Sequence, residues 1–165
     1  MNSRTETFMH LVMAVVIMLV LSAATYFIGC KVAPSILDDA QKAGEKVLAL
    51  SDWKMYYFYL VLYMGIIAEL ILIFWTALSH WSLHTSDSTG VGKRGLWIVL
   101  GIILATLCVA VPEFYHREYY QMSIDMSIQV LFFVCYCLVG YWGGSIIVTS
   151  DRYKYTPLLA SFLRA

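Results

Sequence analysis

The sequence predicts an all-α protein: a four-helix transmembrane bundle with a short amphipathic helix in the outer loop between the first and second spans. Two observations predict it. Of the 165 residues, 61% are hydrophobic and only 13% are charged, and the uncharged residues fall in four long runs. A soluble domain is about one quarter charged, and a nucleic-acid-binding domain usually carries a basic excess, whereas this chain has no net charge. The composition therefore indicates an integral membrane protein and excludes nucleic acid as a partner.

Each of the four uncharged runs is long enough to cross the hydrocarbon core of the lipid bilayer, which takes about 20 apolar residues in a helix. Backbone amides in hydrocarbon must be paired within their own segment, and the runs lack the alternation of barrel strands, so they are predicted to be helices. The spans use nearly the whole chain, which leaves a single integral membrane domain, residues 1–165. The predicted spans are about residues 7–30, 55–81, 95–112 and 126–150.

The first outer loop, residues 31–54, is predicted to contain the short amphipathic helix, and Pro34 is predicted to lie beyond the end of the first span. Ser35 and Asp38 have the spacing of a capping box, and apolar residues follow at helical intervals. This helix either covers the bundle or offers a docking surface to an external partner. Its apolar residues are Ile36, Ala40, Ala43, Val47 and Leu50, and its polar residues are Asp38, Asp39, Lys42, Glu45 and Lys46.

The distribution of basic residues predicts the orientation in the membrane. Four spans place both termini on one side. With the termini inside, Lys93 and Arg94 adjoin the third span and Arg152 and Lys154 adjoin the fourth. Basic residues next to span ends favour the cytoplasmic side. The sequence therefore predicts cytoplasmic termini, and the long uncharged runs suit a bacterial inner membrane.

Glu69 is the only ionisable carboxylate inside an apolar run, and it lies near the middle of the second span. Such residues are costly at the centre of a bilayer, usually face the bundle interior and often have a function. The predicted partners at matching depth are Thr106, Ser22, and Tyr136 or Tyr141. Glu69 is interpreted either as a polar clamp that holds helices together or as a proton or cation site.

The fourth span carries a pattern of small residues, Gly140, Gly144 and the adjacent Ser145. Small residues four apart let another helix approach closely. These three residues are predicted to form a helix-packing interface, with a neighbour that belongs either to this chain or to another one.

No metal site and no cofactor are predicted. His80 and His84 are four residues apart and share a helix face, but two histidines need a further ligand to hold zinc, and Asp87 is the only nearby candidate. His10 is placed near the inner edge of the membrane and His116 outside it, so they do not form a facing pair for haem within the bundle.

No catalytic motif is found: the sequence has no nucleophile elbow, phosphate-binding glycine loop or paired catalytic carboxylates. The cysteines lack the C-x-x-C spacing of a metal or redox motif, although Cys30 and Cys108 are at matching depth for a disulfide. The sequence therefore indicates a non-enzymatic polytopic membrane protein, a subunit or accessory binding component of a membrane complex. Its partner would be another membrane protein or further copies in a homo-oligomer. The alternative is an oligomeric ion channel or proton-coupled transporter that uses Glu69.

Overall fold

A computed structural model of the protein describes residues 3–44, 47–81, 91, 93–120 and 126–163. The described residues form helices and connecting turns and contain no strand. Four helical segments among them are long and apolar enough to cross a membrane. The predicted all-α architecture with four spans is confirmed, and the chain is a polytopic membrane protein.

The spans follow one another as neighbouring helices. The first three are α1 (Ser3–Lys42), α2 (Leu50–Trp81) and α3 (Arg94–Tyr115), and α3 continues as a π-helical turn over His116–Tyr120. The fourth span, Met126–Val148, consists of α4 (Met126–Phe132), a π-helical stretch (Phe133–Gly143) and α5 (Gly144–Val148). A 3₁₀ turn (Asp151–Tyr153) and a short helix α6 (Ala160–Leu163) follow.

Most of the outer-loop segment predicted to be a separate amphipathic helix is instead the last part of α1, whereas Leu50 begins α2 and Glu45 and Lys46 lie outside the described residues. The helix runs through Pro34 to Lys42, so Ser35 does not cap a new helix. Ala33 and Ile36 on either side of the proline are buried against the bundle. Their burial offsets the single hydrogen bond that a proline removes from a helix. The apolar side of this segment contacts the chain's own core, which agrees with a role in covering the bundle.

Pro112, at the predicted end of the third span, lies inside α3, which continues to Tyr115. The carbonyl oxygen of Pro112 is bonded to His116. The backbone N–H of His116 donates to the carbonyl oxygens of Pro112 and Glu113, and Nδ1 of its ring lies 3.0 Å from the same Pro112 oxygen.

Two of the spans are more deeply packed than the other two. In the most apolar part of each span, 44% of the fourth span and 39% of α2 are buried, against 17% of α1 and 28% of α3. The core is rich in aromatic rings, and its largest fully buried side chains are Trp53, Tyr57, Trp75, Tyr136 and Tyr141. The α2 helix and the fourth span therefore form the centre of the bundle, and α1 and α3 pack around them.

Polar contacts fasten the end of the bundle at which α1 begins, α2 ends and α3 begins; we call it the N-terminal end. Trp75 Nε1 donates to Thr149 Oγ1 at 2.7 Å. Arg94 donates to the backbone oxygen of Tyr155 at 2.7 Å and to that of Thr156 at 3.2 Å. These bonds hold the segment after the fourth span against the ends of α2 and α3.

Candidate functional site

Ser22 and Tyr136 meet inside the bundle, as two members of a polar contact between three helices. The hydroxyl oxygen of Tyr136 lies 3.2 Å from Ser22 Oγ on α1 and 3.2 Å from the carbonyl oxygen of Val61 on α2. Gly65 makes room for this contact, because a Cβ atom there would lie 2.4 Å from Ser22 Oγ. Each polar atom has a partner within the chain, so the contact acts as a polar clamp between α1, α2 and the fourth span.

Glu69, one turn after Gly65 on α2, is not part of this clamp. Its side chain is half-buried, and in the part of the chain that the structure describes it has no hydrogen bond or ion pair. Its neighbours Ile66 and Leu70 are 47% and 61% exposed. Glu69 therefore lies at the edge of the bundle surface, between these exposed side chains and the buried Ala68 and Leu72.

Thr106 does not approach Glu69 either. It is exposed on α3, and its hydroxyl donates to the carbonyl oxygen of Ile102 in its own helix at 2.9 Å. Tyr141, the other tyrosine considered for Glu69, donates instead to the carbonyl oxygen of Trp97 at 2.7 Å. Of the four predicted members of the intramembrane polar site, the structure brings together only Ser22 and Tyr136.

Gly140 and Gly144 pack against helices of the same chain. A Cβ atom on Gly140 would lie 2.9 Å from Met18 Cε on α1, and one on Gly144 would lie 3.3 Å from Leu72 Cδ2 on α2. The two glycines leave room for Met18 of α1 and Leu72 of α2 to approach the fourth span closely. Because this surface is covered from within, it is not the surface on which another chain would dock.

Ser145 is likewise an internal packing residue. Its hydroxyl accepts a hydrogen bond from Trp97 Nε1 of α3 at 2.9 Å and lies 2.9 Å from the carbonyl oxygen of Trp142. Trp97 also stacks on Tyr141, with ring centroids 5.6 Å apart. The interface predicted at Gly140, Gly144 and Ser145 thus joins the fourth span to α1, α2 and α3.

The N-terminal end of the bundle brings together ligand-type side chains that were not predicted to lie close to one another. His10 Nδ1 on α1 lies 2.9 Å from His80 Nε2 on α2, and Thr7 Oγ1 lies 3.2 Å from His80 Nδ1. One ligand atom from each of Glu6, His10 and His80 lies within 4.8 Å of the others. A first and a second span run in opposite directions, so the beginning of one lies beside the end of the other, and this signal was available from the sequence.

The other predicted pairings of this kind have different outcomes. His84 and Asp87, considered beside His80, lie outside the described residues. Cys30 and Cys108 are free thiols, so the disulfide considered between them is not formed in this structure.

An open apolar groove of about 590 Å³ lies between the second half of α1 and the start of the fourth span. Its lining is aliphatic apart from one hydroxyl-bearing side chain, so it can contact hydrocarbon but supplies no acid, base or metal ligand. The lining residues are Ile28, Val32, Met126, Ser127, Val130, Leu131 and Val134.

Comparisons with protein-family models, with curated proteins and with solved structures found no match to this chain.

Proposed function

We propose that this polytopic membrane protein is a non-enzymatic subunit or accessory component of a membrane complex, and that a transmembrane helix of another protein docks on α2 around Glu69. One observation carries the proposal. Glu69 lies in the middle of a membrane span, at the surface of the bundle, and has no polar partner among the described residues.

The energetic argument concerns a polar group in hydrocarbon. On insertion scales an acidic residue at the centre of a span costs about 2.5 to 3.5 kcal/mol. Such residues normally pair with another polar group, with a backbone carbonyl or with water in a cavity. Within the described chain Glu69 has no such partner, whereas Ser22 and Tyr136 form a hydrogen bond with each other. A hydrogen-bond donor on a second protein would complete the missing pair.

The surface beside Glu69 suits a helix as the docking partner. Leu62, Ile66 and Ile73 are seven, three and four residues away from Glu69, spacings that place them on the same side of α2. Leu62 and Ile66 are 44% and 47% exposed, and Ile73 is half-buried. We call these four residues the Glu69 face. It offers an apolar strip with one carboxyl group near its middle, which a transmembrane helix carrying a donor at the same depth would match.

The test compares particle masses after gentle extraction from the source membrane, by native mass spectrometry, with no partner added. We expect the wild-type chain to co-purify with a second polypeptide and the Glu69→Leu variant to be recovered alone. Thr106→Val is the matched control, because it also removes a polar group from the surface of a span, but this hydroxyl group already bonds within its own helix. This variant should keep the complex. An unchanged complex mass for Glu69→Leu, or a wild-type chain recovered as a monomer, would contradict the proposal.

The alternative function is an oligomeric ion channel or proton-coupled transporter that uses Glu69. The outward position of the carboxyl group favours a pore between several copies of the chain over a pore within one chain. Several copies around an axis would turn their Glu69 faces toward that axis. A wild-type particle that contains several copies of this chain alone would support this alternative. In proteoliposomes the Glu69→Gln variant should then abolish flux, and unaltered flux would exclude the carboxyl group from transport.

For the location we propose a bacterial inner membrane with both termini in the cytoplasm. Lys93 and Arg94 support this orientation, since they lie at the start of α3 at the N-terminal end of the bundle, and basic residues beside span ends favour the cytoplasmic side. A reporter enzyme that is active only outside the cytoplasm, fused after residue 165, should be inactive. Activity of that fusion would show that the C-terminus lies outside the cytoplasm and contradict the proposed orientation.

A further inference from the structure

The three ligand-type side chains at the N-terminal end of the bundle have the composition of a transition-metal site. Two imidazoles and one carboxylate form a donor set that zinc uses in proteins, with a further position left for water or substrate. Imidazole ligands favour Zn²⁺, Fe²⁺, Cu²⁺ and Ni²⁺, whereas Mg²⁺ and Ca²⁺ prefer oxygen ligands. We propose that Glu6, His10 and His80 bind one divalent transition-metal ion.

The helices place these ligands together. Glu6 and His10 are four residues apart on α1, so their side chains lie on the same face, and His80 reaches them from the last turn of α2. The nitrogen atoms of the two histidines are 2.9 Å apart. Two nitrogen ligands at 2.1 Å from a tetrahedral ion are about 3.4 Å apart, so a shift of about 0.5 Å opens the pair for the metal.

The site also includes a supporting partner of the kind that metal-binding histidines use. A ligating imidazole commonly donates its second ring N–H to a nearby acceptor, which fixes its orientation and tautomer. Thr7 Oγ1 lies 3.2 Å from His80 Nδ1. With Nδ1–H donating to Thr7, the lone pair of His80 Nε2 points to His10, where the metal would replace the hydrogen bond between the two rings.

The bound ion would join α1 to α2 at one end of the bundle. Of the four spans, α1 has the smallest buried share in its most apolar part, 17%. Glu6 lies in the first turn of α1, so the ion would also fix the beginning of that helix.

The experiment measures Zn²⁺ binding to the full chain, produced without a histidine tag, purified in detergent and freed of metal with a chelator. We expect one Zn²⁺ per chain and no competition from Mg²⁺. His10→Gln and Glu6→Gln should each lower the Zn²⁺ affinity by at least about 100-fold, beyond the effect of removing a supporting partner. Thr7→Val, which keeps the side-chain shape, should lower it by about 10- to 100-fold.

A thermal-unfolding measurement separates metal binding from folding. Zn²⁺ should raise the Tm of the wild-type chain, because a ligand that binds only the folded state stabilises it, and should not raise that of His10→Gln. The Glu6→Gln variant guards against misfolding, since its metal-free Tm should equal that of the wild type. No binding of Zn²⁺ to the wild type, or wild-type affinity in His10→Gln, would overturn the proposal.

The His84→Gln variant distinguishes the proposed site from a site formed by His80 and His84, the pair of histidines four residues apart in the sequence. Zn²⁺ affinity that is lost in His84→Gln and retained in His10→Gln would place the ion on His80 and His84 and overturn the proposed ligand set. Zn²⁺ affinity that is retained in His84→Gln and lost in His10→Gln supports it.

Discussion

Two neighbouring turns of α2 differ in whether the polar group beside them has a partner within the described chain. At Gly65 the helix faces inward, and Ser22 and Tyr136 satisfy each other beside it. At Glu69, four residues later, the carboxyl group lies at the surface without a partner among the described residues. The first contact is complete in the single chain and stabilises its fold. The second is incomplete, so its role depends on something outside the chain.

The largest effect is expected from a change at the inward position. Gly65→Leu adds a side chain where even a Cβ atom would lie 2.4 Å from Ser22 Oγ. Overpacking a tight core typically lowers the free energy of unfolding by about 1 to 3 kcal/mol, and we expect the upper end of that range because α1 has to move away. Unfolding of the purified chain by increasing SDS in mixed micelles measures the effect.

The matched control for this variant is Ile66→Leu, at the next residue, whose side chain is 47% exposed. It should leave the free energy of unfolding unchanged within experimental error. Equal stability of Gly65→Leu and Ile66→Leu would show that the helix face at Gly65 is not closely packed, and the contrast with Glu69 would lose its structural basis.

The number and type of the spans could be predicted because they depend on the length of uncharged runs alone. The rotation of each helix could not. In a span that is apolar on every side, the hydrophobic pattern does not distinguish the face that meets a neighbouring helix from the face that meets lipid. Thr106 and Tyr136 therefore seemed equivalent partners for Glu69, although one is exposed and the other is buried.

The end of α1 and the histidine cluster were missed for related reasons. Pro34 suggests a helix end from local geometry, but the buried residues around it continue the helix, which is a tertiary effect. Antiparallel spans place His10 and His80 at the same end of the bundle, but their approach to 2.9 Å depends on the register of α1 against α2. That register is set by close contacts such as the one between Gly29 and the ring of Tyr57, and no single segment of the sequence contains it.

A smaller effect is expected when the inward clamp loses its central hydroxyl. Tyr136→Phe removes the contacts with Ser22 and with the carbonyl oxygen of Val61 but keeps the buried ring. Hydrogen bonds between membrane helices contribute about 0.6 kcal/mol on average and at most about 1.7 kcal/mol. We expect a loss of about 1 kcal/mol in the same SDS titration, and an unchanged free energy of unfolding would mean that the hydroxyl does not hold the helices together.

The smallest effect is expected at Thr106, a polar residue that faces outward but is satisfied. Its hydroxyl bonds to Ile102 in the same helix, so Thr106→Val removes a bond that links no two helices and leaves a side chain of similar shape in lipid. The free energy of unfolding should change by less than about 0.5 kcal/mol, as for other surface substitutions. A loss as large as that of Tyr136→Phe would show that Thr106 contacts another helix. Thr106 would then not be a polar group satisfied within its own helix, and Glu69 would no longer be the single exception among the outward-facing polar groups compared.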